Sequence, residues 1–280
     1  MSILTAQDIT YTYPGTNVPA LDRLTLTVET GEILFLLGVN GSGKTTLLHH
    51  LNGLLRPGSG AVSLHGMLLG RYREKDLFSK VGLVFQDPND QLFAPTVEED
   101  VMYGPRNLGE DGEKAREMAA EALATVGLAG FGPREVRTLS YGQKKRAALA
   151  GILVMDPEVL LLDEPTAGID PIGAVRIMEL VRALNESKQL TVVVTTHDVD
   201  LAAVFAHRVC VLDKGQVVRT GPAAEVLSDA AAMRKAGLRL PRIAHLAEIL
   251  RDKDDVDTET LPLTIGQARK WIKDRLGNKR

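Results

Sequence analysis

Several uninterrupted apolar runs punctuate the chain, and each ends abruptly on a glycine or a polar residue. ILFLL at 33–37 runs into Gly38, VGLVF at 81–85 into Gln86, VLLL at 159–162 into Asp163 and Glu164, and TVVVTT at 191–196 into His197. Continuous rather than alternating runs are the mark of strands buried on both faces of a parallel sheet. Helical stretches lie between them: TTLLHHLNGLL (45–55), EKAREMAAEALATV (113–126), residues 141–155 and AVRIMELVRALNES (174–187). Strand and helix in alternation predict an α/β fold. Ligands of open α/β sheets bind outside the carboxyl ends of the strands. The polar residues that end the runs are therefore expected at one edge, facing one ligand.

The segment FQDPNDQLFAPTVEEDVMYGP (85–105) is punctuated differently. Pro88 and Pro95 stiffen a loop, Thr96 with Glu99 forms a capping box that starts a helix, and Gly104-Pro105 is expected to stop it. Gln91, Leu92 and Phe93 put apolar residues into this polar loop, and an exposed patch there would ask for a partner. After about residue 222 the pattern changes. PRIAHLAEIL (241–250) enters a helix at Pro241 and sets Ile243, Leu246 and Leu250 on one face. The acidic DKDDVDTET (252–260) reads as a loop. LPLTIGQARKWIKDRL (261–276) has a second capping box, Thr264 with Gln267, and an apolar stripe of Ile265, Ala268, Ile272 and Leu276 with Trp271 alongside. Two helices closing a small satellite core are the expectation.

Composition narrows the class. At 280 residues the chain suits one large domain with a small appendage. A hydrophobic fraction of 44% and a charged fraction of 25% are those of an ordinary globular protein with a sizeable core. The net charge of -3 carries no basic signature, so no nucleic-acid partner is expected. Cys210, the single cysteine, sits in VCVL and reads as a buried, inert thiol of a reducing compartment. The start, MSILTAQDITYTYPG, lacks the pattern of a secretory signal. The longest apolar stretch, AALAGILVM at 147–155, is far short of the ~20 residues that span a bilayer. A role at a membrane would need other chains to cross it.

The chemistry begins at the first strand end. GVNGSGKTT (38–46) fits G-x-x-x-x-G-K-[ST] in the strand-then-helix context that a phosphate loop requires. Its glycines let successive backbone N–H groups curl around phosphates, and the helix beginning at Lys44 points its positive end at them. Lys44 adds a point charge, and the Thr45 hydroxyl is placed to ligate Mg²⁺. VLLLDEP ends in Asp163, suited to hold Mg²⁺ through water, and Glu164, suited to polarise an attacking water. His197 could cap or pack, but its place at the same sheet edge favours a γ-phosphate or water contact. LSYGQKKRAALAGILVM, from Leu139, supplies a second exposed helix N-terminus suited to an anion; KKR at 144–146 reads as a solvated helix face. His49 and His50 are adjacent and point apart, while His65, His207 and His245 stand alone, so no transition-metal site is expected.

Taken together, residues 38–45, Gln86, LSYGQ (139–143), LLLDEP, AGID (167–170) and His197 resemble, in order and spacing, the ATP-binding cassette (ABC) ATPases over roughly residues 1–225. The resemblance implies a P-loop NTPase fold with a mostly parallel core sheet, an antiparallel β subdomain and a helical subdomain at roughly 88–157. It places an ATPase domain at 1–221 and a small C-terminal helical domain at 222–280. It implies ATP and Mg²⁺ as cofactors, with Gly38, Val39, Asn40, Gly41, Ser42, Gly43, Lys44, Thr45 and Thr46 around the phosphates. Tyr13 resembles the aromatic that stacks on adenine, with Tyr11 a competing choice. Thr45, Gln86 and Asp163 would serve Mg²⁺, Glu164 would be the general base, and His197 would orient the γ-phosphate. In the family two subunits face each other head to tail, so Ser140, Gly142 and Gln143 would meet the nucleotide held by the other subunit and Asp170 would lie across the interface. Tyr141 departs from the usual glycine, which puts its local packing in question.

The interval between Gln86 and LSYGQ is too short for the insertions of DNA-repair relatives, and a single set of motifs is unlike the paired cassettes of ribosome-associated ones. Residues 85–105, LSYGQKKRAALAG and the PTAGIDP run are similar to the energy-coupling-factor (ECF) importer ATPases, particularly the cobalt and nickel uptake members. That similarity implies a peripheral subunit at the cytoplasmic face of the membrane. It also implies a membrane scaffold subunit docking near Gln91, Leu92 and Phe93, a substrate-capture membrane subunit, and contact of the C-terminal appendage with the second ATPase subunit. Homodimer and paralogous pair both stay open. The alternatives are an ECF importer for a vitamin, another ABC transporter, or a soluble ABC ATPase that remodels nucleic acid or other macromolecules.

Overall fold

Strands β1 (Ser2–Tyr11) and β2 (Leu21–Glu29) open the chain as an antiparallel pair, and β2 buries alternate residues, Leu24, Leu26 and Val28, as a strand with one wet face must. The structure is a computed structural model and describes residues 1–254, 256 and 260–277. β3 (Ile33–Leu37) and α1 (Lys44–Asn52) follow, then β4 (Ser59–Leu64) and β5 (Met67–Leu68), which complete a four-stranded sheet ordered β2-β1-β4-β5. Next come α2 (Glu74–Lys80), β6 (Val81–Val84), and three helices that pack on one another, α3 (Val97–Leu108), α4 (Gly112–Thr125) and α5 (Tyr141–Leu153). β7 (Val159–Asp163), α6 (Pro171–Lys188), β8 (Thr191–Thr196), α7 (Val199–Phe205), β9 (Arg208–Asp213) and β10 (Gln216–Pro222) finish a six-stranded sheet ordered β10-β9-β3-β8-β7-β6. It is parallel except at β10, which pairs antiparallel with β9. Helices α8 (Ala223–Ser228), α9 (Ala230–Lys235), α10 (Arg242–Asp254) and α11 (Ile265–Gly277) close the chain.

The unbroken apolar runs are explained by two cores, one on each face of the larger sheet. Ile33, Phe35 and Leu37 of β3 enter a core shared with α3 to α7 and the C-terminal helices, while Leu34 and Leu36 enter another shared with α1 and the four-stranded sheet. β7 and β8 divide their apolar residues the same way, so the middle positions of the central strands are all apolar. Cys210 is fully buried in the second core, and burial pushes its thiol up to about 12, which leaves it inert.

Six local expectations are corrected. Gly104-Pro105 does not stop α3, which continues to Leu108 and ends at Gly109 in the left-handed region. Gly104 instead permits close packing, since a Cβ there would stand 2.8 Å from Met155 Sδ. Leu92 is not part of an exposed patch: it is buried in the first core, and Gln91 turns inward to accept from Phe85 N at 3.1 Å and donate to Ala148 O at 2.9 Å. The exposed aromatic of this loop is Phe93, edge-on to exposed Tyr103 with ring centroids 4.8 Å apart. No separate satellite core forms among the described residues. Met233, Leu238, Ala244, Ala247, Leu261 and Leu263 join the same buried cluster as Val209 and Val211.

The fourth correction concerns the stripes of that appendage. In α10 the buried face is Ala244, Ala247 and Glu248, with Leu246 exposed. In α11 it is Trp271 that packs against the core, while Ile265 and Ile272 are exposed; the side chain of Leu276 lies outside the described residues. The second capping box is half formed, because Gln267 Oε1 accepts from Leu263 N rather than from Thr264 N. Of the acidic stretch read as a loop, residues 252–254 belong to α10, and 255 and 257–259 lie outside the described residues.

The contrast between neighbouring residues in one loop can be measured. Leu92→Ala should lower stability by about 2–5 kcal/mol through lost burial and a cavity, whereas Phe93→Ala should cost about 1 kcal/mol or less. Urea unfolding monitored by circular dichroism checks both, and equal losses would contradict the burial assignment.

Candidate active site

The phosphate loop is shaped by what cannot have a side chain. Gly43 adopts φ 102°, and a Cβ there would stand 2.7 Å from Ala20 O, so the turn into α1 admits glycine alone. The loop leaves Lys44 almost buried, its Nζ donating to Gly38 O at 2.8 Å and Val39 O at 3.1 Å. Burial lowers the pKa of Lys44, opposed by the charges of Glu164 and Asp163. Ser42 Oγ is buried beside it without a hydrogen-bond partner. An orphaned buried hydroxyl is costly, and an oxygen-rich anion in the loop would satisfy it.

The next strand ends supply the carboxylates. Thr45 Oγ1 donates to Asp163 Oδ2 at 2.8 Å, and Thr195 Oγ1 donates to Asp163 Oδ1 at 2.6 Å. Glu164 N donates to the same Thr195 hydroxyl at 2.9 Å. Glu164 itself is held at φ 44°, a region that costs a non-glycine residue about 1–3 kcal/mol. His197 Nδ1 lies 3.2 Å from its carboxylate. Residues 40–46, Tyr13, Gln86, Glu164 and His197 line one open cleft of about 480 Å³. Tyr13 faces that cleft and shares a 3.2 Å hydrogen bond with Thr46 Oγ1, while Tyr11 packs edge-on against Tyr13 and His50 behind it. Gly38 and Asp163 sit just beneath, and Val39 turns its side chain towards Gly237. The donor set fits a nucleotide triphosphate, and the oxygens of Thr45 and Asp163 fit Mg²⁺.

Ser140, Gly142, Gln143 and Asp170 are not brought to this cleft within the chain. They line a second one of about 570 Å³. Ser140 and Gln143 form a reciprocal capping box at the start of α5, so Gln143 Oε1 is occupied by Ser140 N at 2.9 Å. Asp170 caps α6, accepting from Gly173 N at 2.9 Å. Within one chain the cleft with phosphate-loop geometry and the cleft at the N-terminus of α5 are therefore separate.

Residues 21–167 match the ABC transporter family. The energy-coupling factor transporter ATP-binding protein EcfA of Methanocaldococcus jannaschii is 48% identical, covering 100% of both chains, and EcfA of Methanococcus maripaludis is 46% identical, covering 98% of each. Among solved structures, CbiO1 of Clostridium perfringens, part of the ABC transporter complex CbiONQ, superposes with a TM-score of 0.75 at 38% identity, covering 89% of this chain and 99% of that one. A dimeric ATP-binding cassette bound to ADP and phosphate superposes at 0.72 with 31% identity, covering 79% of this chain and 99% of that one. The chain belongs to the ABC transporter family. It is an ATPase with the cassette fold.

Two features of this ABC ATPase escaped the sequence. Thr195 was visible only as part of an apolar strand, although a hydroxyl in a fully buried strand must find partners. The KKR run is not a solvated face. Lys145 is buried at 4% exposure, its Nζ donating to Glu164 O at 2.8 Å, while Lys144 donates to Asn89 Oδ1 and Arg146 to the carbonyls of Val126 and Gly127. Tyr141, at the position where glycine is usual, lays its ring over Gly168, where a Cβ would stand 2.8 Å from Tyr141 Cε1.

Burial lowers the pKa of Lys145 to about 8, against the attraction of Glu164, Asp163 and Asp87. The unfolded chain takes up this proton near its ordinary value of 10.5, the folded one only near 8. Between those values the unfolded state holds more protons, so the contribution of Lys145 to stability should rise with pH through that window. Lys145→Met should remove that slope. The difference between wild-type and variant unfolding midpoints from pH 7.5 to 10.5 measures it, and parallel curves would count against a lowered pKa for Lys145.

Proposed function

We propose that this ABC ATPase is the energy-supplying subunit of an ECF-type importer, held at the cytoplasmic face of the membrane by separate membrane subunits. No helix among the described residues is long and apolar enough to cross a membrane. The observation that carries the reading is the exposed Phe93–Tyr103 pair, reached from Gln86 of the nucleotide cleft through one short, tightly bonded loop. Asp87 caps the turn at 88–90, Gln91 ties it to α5, and buried Asp100 accepts from Phe93 N at 2.8 Å and Ala94 N at 2.9 Å. Such a loop carries displacement at Gln86 to the aromatic pair without absorbing it. A membrane scaffold helix with an apolar face is the partner this surface fits. The similarity to the EcfA proteins and to CbiO1 supports the same reading.

In the proposed cycle the cassette pairs head to tail with a second copy or a paralogue, bringing Ser140 and Gly142 of one subunit over the phosphates held by Lys44 of the other. Asp170 then stands at the interface. Thr45, Gln86 and Asp163 hold Mg²⁺, which neutralises phosphate charge. Glu164 takes the proton of the attacking water, and His197, in contact with its carboxylate, orients the γ-phosphate. Tyr13 stacks on the base. Loss of the γ-phosphate removes the bridge between Lys44 and Ser140, and the pair reopens. The cargo we assign is cobalt or nickel, on the likeness of LSYGQKKRAALAG and PTAGIDP to that group.

The decisive experiment isolates the intact complex from detergent-solubilised membranes, reconstitutes it in vesicles and measures ATP-driven uptake of labelled cobalt and nickel. Recovery of the chain free of any membrane subunit would favour a soluble remodeller, and uptake of a vitamin alone would overturn the cargo. Glu164→Gln should retain ATP binding, accumulate the closed dimer and lower kcat about 100-fold or more; near-wild-type turnover would sink the general-base role. Phe93→Asp should lower uptake about 10-fold while ATP hydrolysis by the isolated subunit stays within about twofold. Equal loss of both would make the loop merely structural.

A further inference from the structure

Lys145 is a buried charge that stability does not explain. It stands on the first turns of α5, five residues beyond Ser140, and its side chain runs under the turn that carries Glu164. Removing an ammonium from water is expensive, and a neutral apolar side chain of the same length would cost the fold less. Its Nζ lies 2.8 Å from Glu164 O, the carbonyl that follows directly from the left-handed φ of 44°. The same carbonyl also accepts from Ala167 N at 3.1 Å, and Glu164 N donates to Thr195 Oγ1 at 2.9 Å. The backbone of Glu164 is therefore held from both sides in a conformation that it would not adopt alone. Lys145 does not line the nucleotide cleft, so whatever it does for catalysis passes through Glu164.

We infer that Lys145 is a positioning residue: its ammonium holds the strained backbone of Glu164, and thereby the carboxylate, in the orientation that activates water. It also joins two halves of the chemistry within one subunit. The helix whose N-terminus carries Ser140 and Gly142 reaches, through the Lys145 side chain, the backbone of the residue that works on the other nucleotide, so a shift of α5 on closing is transmitted to Glu164 through one hydrogen bond of 2.8 Å.

The inference rests on Glu164 acting as the general base, and the test separates the two. Lys145→Met and Lys145→Gln are compared with the wild type and with Glu164→Gln in steady-state ATP hydrolysis, at a temperature where unfolding curves show every variant folded. Lys145→Met should lower kcat about 10- to 100-fold with KM for ATP within about twofold, as for loss of one hydrogen bond from a charged donor. Lys145→Gln, a neutral donor one bond shorter, should recover part of that loss. In the Glu164→Gln background, Lys145→Met should cause no further loss, because the group it positions is gone. A folded Lys145→Met enzyme with wild-type kcat, a loss confined to KM, a Gln variant no better than Met, or full additivity with Glu164→Gln would each overturn it. Near-wild-type turnover by Glu164→Gln alone would instead remove the base assignment on which it rests.

Discussion

Two carboxylates at the end of a fully buried strand set the terms for everything around them. Asp163 is 3% exposed and Glu164 7%, and such charges are tolerated only where donors or cations converge. Here the donors converge from α1, β8 and α5: the Thr45 and Thr195 hydroxyls donate to Asp163 and the Lys145 ammonium donates to the Glu164 carbonyl, while Glu164 N–H donates to Thr195 Oγ1. Lys44 lies close enough for both carboxylates to raise its pKa against the effect of burial. The result is a set of groups whose charges are balanced before any ligand enters. A bound nucleotide would exchange partners within this set, and reorganisation would be small because the donors are already pointed inward.

The cost of that arrangement is spread through the fold. The larger sheet can present its polar residues at one edge because both its faces are sealed by apolar cores, one under the four-stranded sheet and α1, the other under the helices. Strand periodicity vanishes in β3, β7 and β8 for this reason, and the same loss of periodicity makes their ends conspicuous in the sequence. Those elements were legible with little error: β3 and β8 begin and end where the apolar runs do. The phosphate loop, the DE pair and His197 were legible too, since each sits at such an end.

What stayed hidden depends on neighbours distant in sequence. Nothing local distinguishes Lys145 from Lys144 and Arg146, because only the arrival of Glu164 beneath α5 gives one of three adjacent cations a buried acceptor. Thr195 is a strand residue by propensity and a bridge by position. Leu92 looked exposed because its loop is polar, yet the inward turn of Gln91 carries it into the core. Pro105 carries a helix-breaking prior that tertiary packing overrode, with Gly104 fitted against Met155. Periodicity also misread α10, where small residues and Glu248 face inward. Glu248 is 6% exposed and accepts both its bonds from Arg234 Nη2, at 2.8 and 2.7 Å.

That last substitution of a charge pair for an apolar stripe shows how the C-terminal appendage belongs to the catalytic unit. It buries Met233, Ala244 and Leu263 in the core that also supports β8 and α7, so among the described residues no independent core insulates it from the ATPase. Asp200, two residues into α7 and three beyond His197, accepts from Arg239 Nη2 at 2.6 Å and from Arg242 N at 2.8 Å. Those contacts, led by the Arg239 side chain against the penalty of burial, hold the Asp200 carboxyl below its ordinary pKa. Gly237 meanwhile stands against Val39, leaving only 3.1 Å between its Cβ direction and the valine methyl. One connecting segment therefore touches both the phosphate loop and the helix that follows His197. Because a packed interior transmits displacement rather than absorbing it, movement of either element on nucleotide turnover must be shared by the appendage.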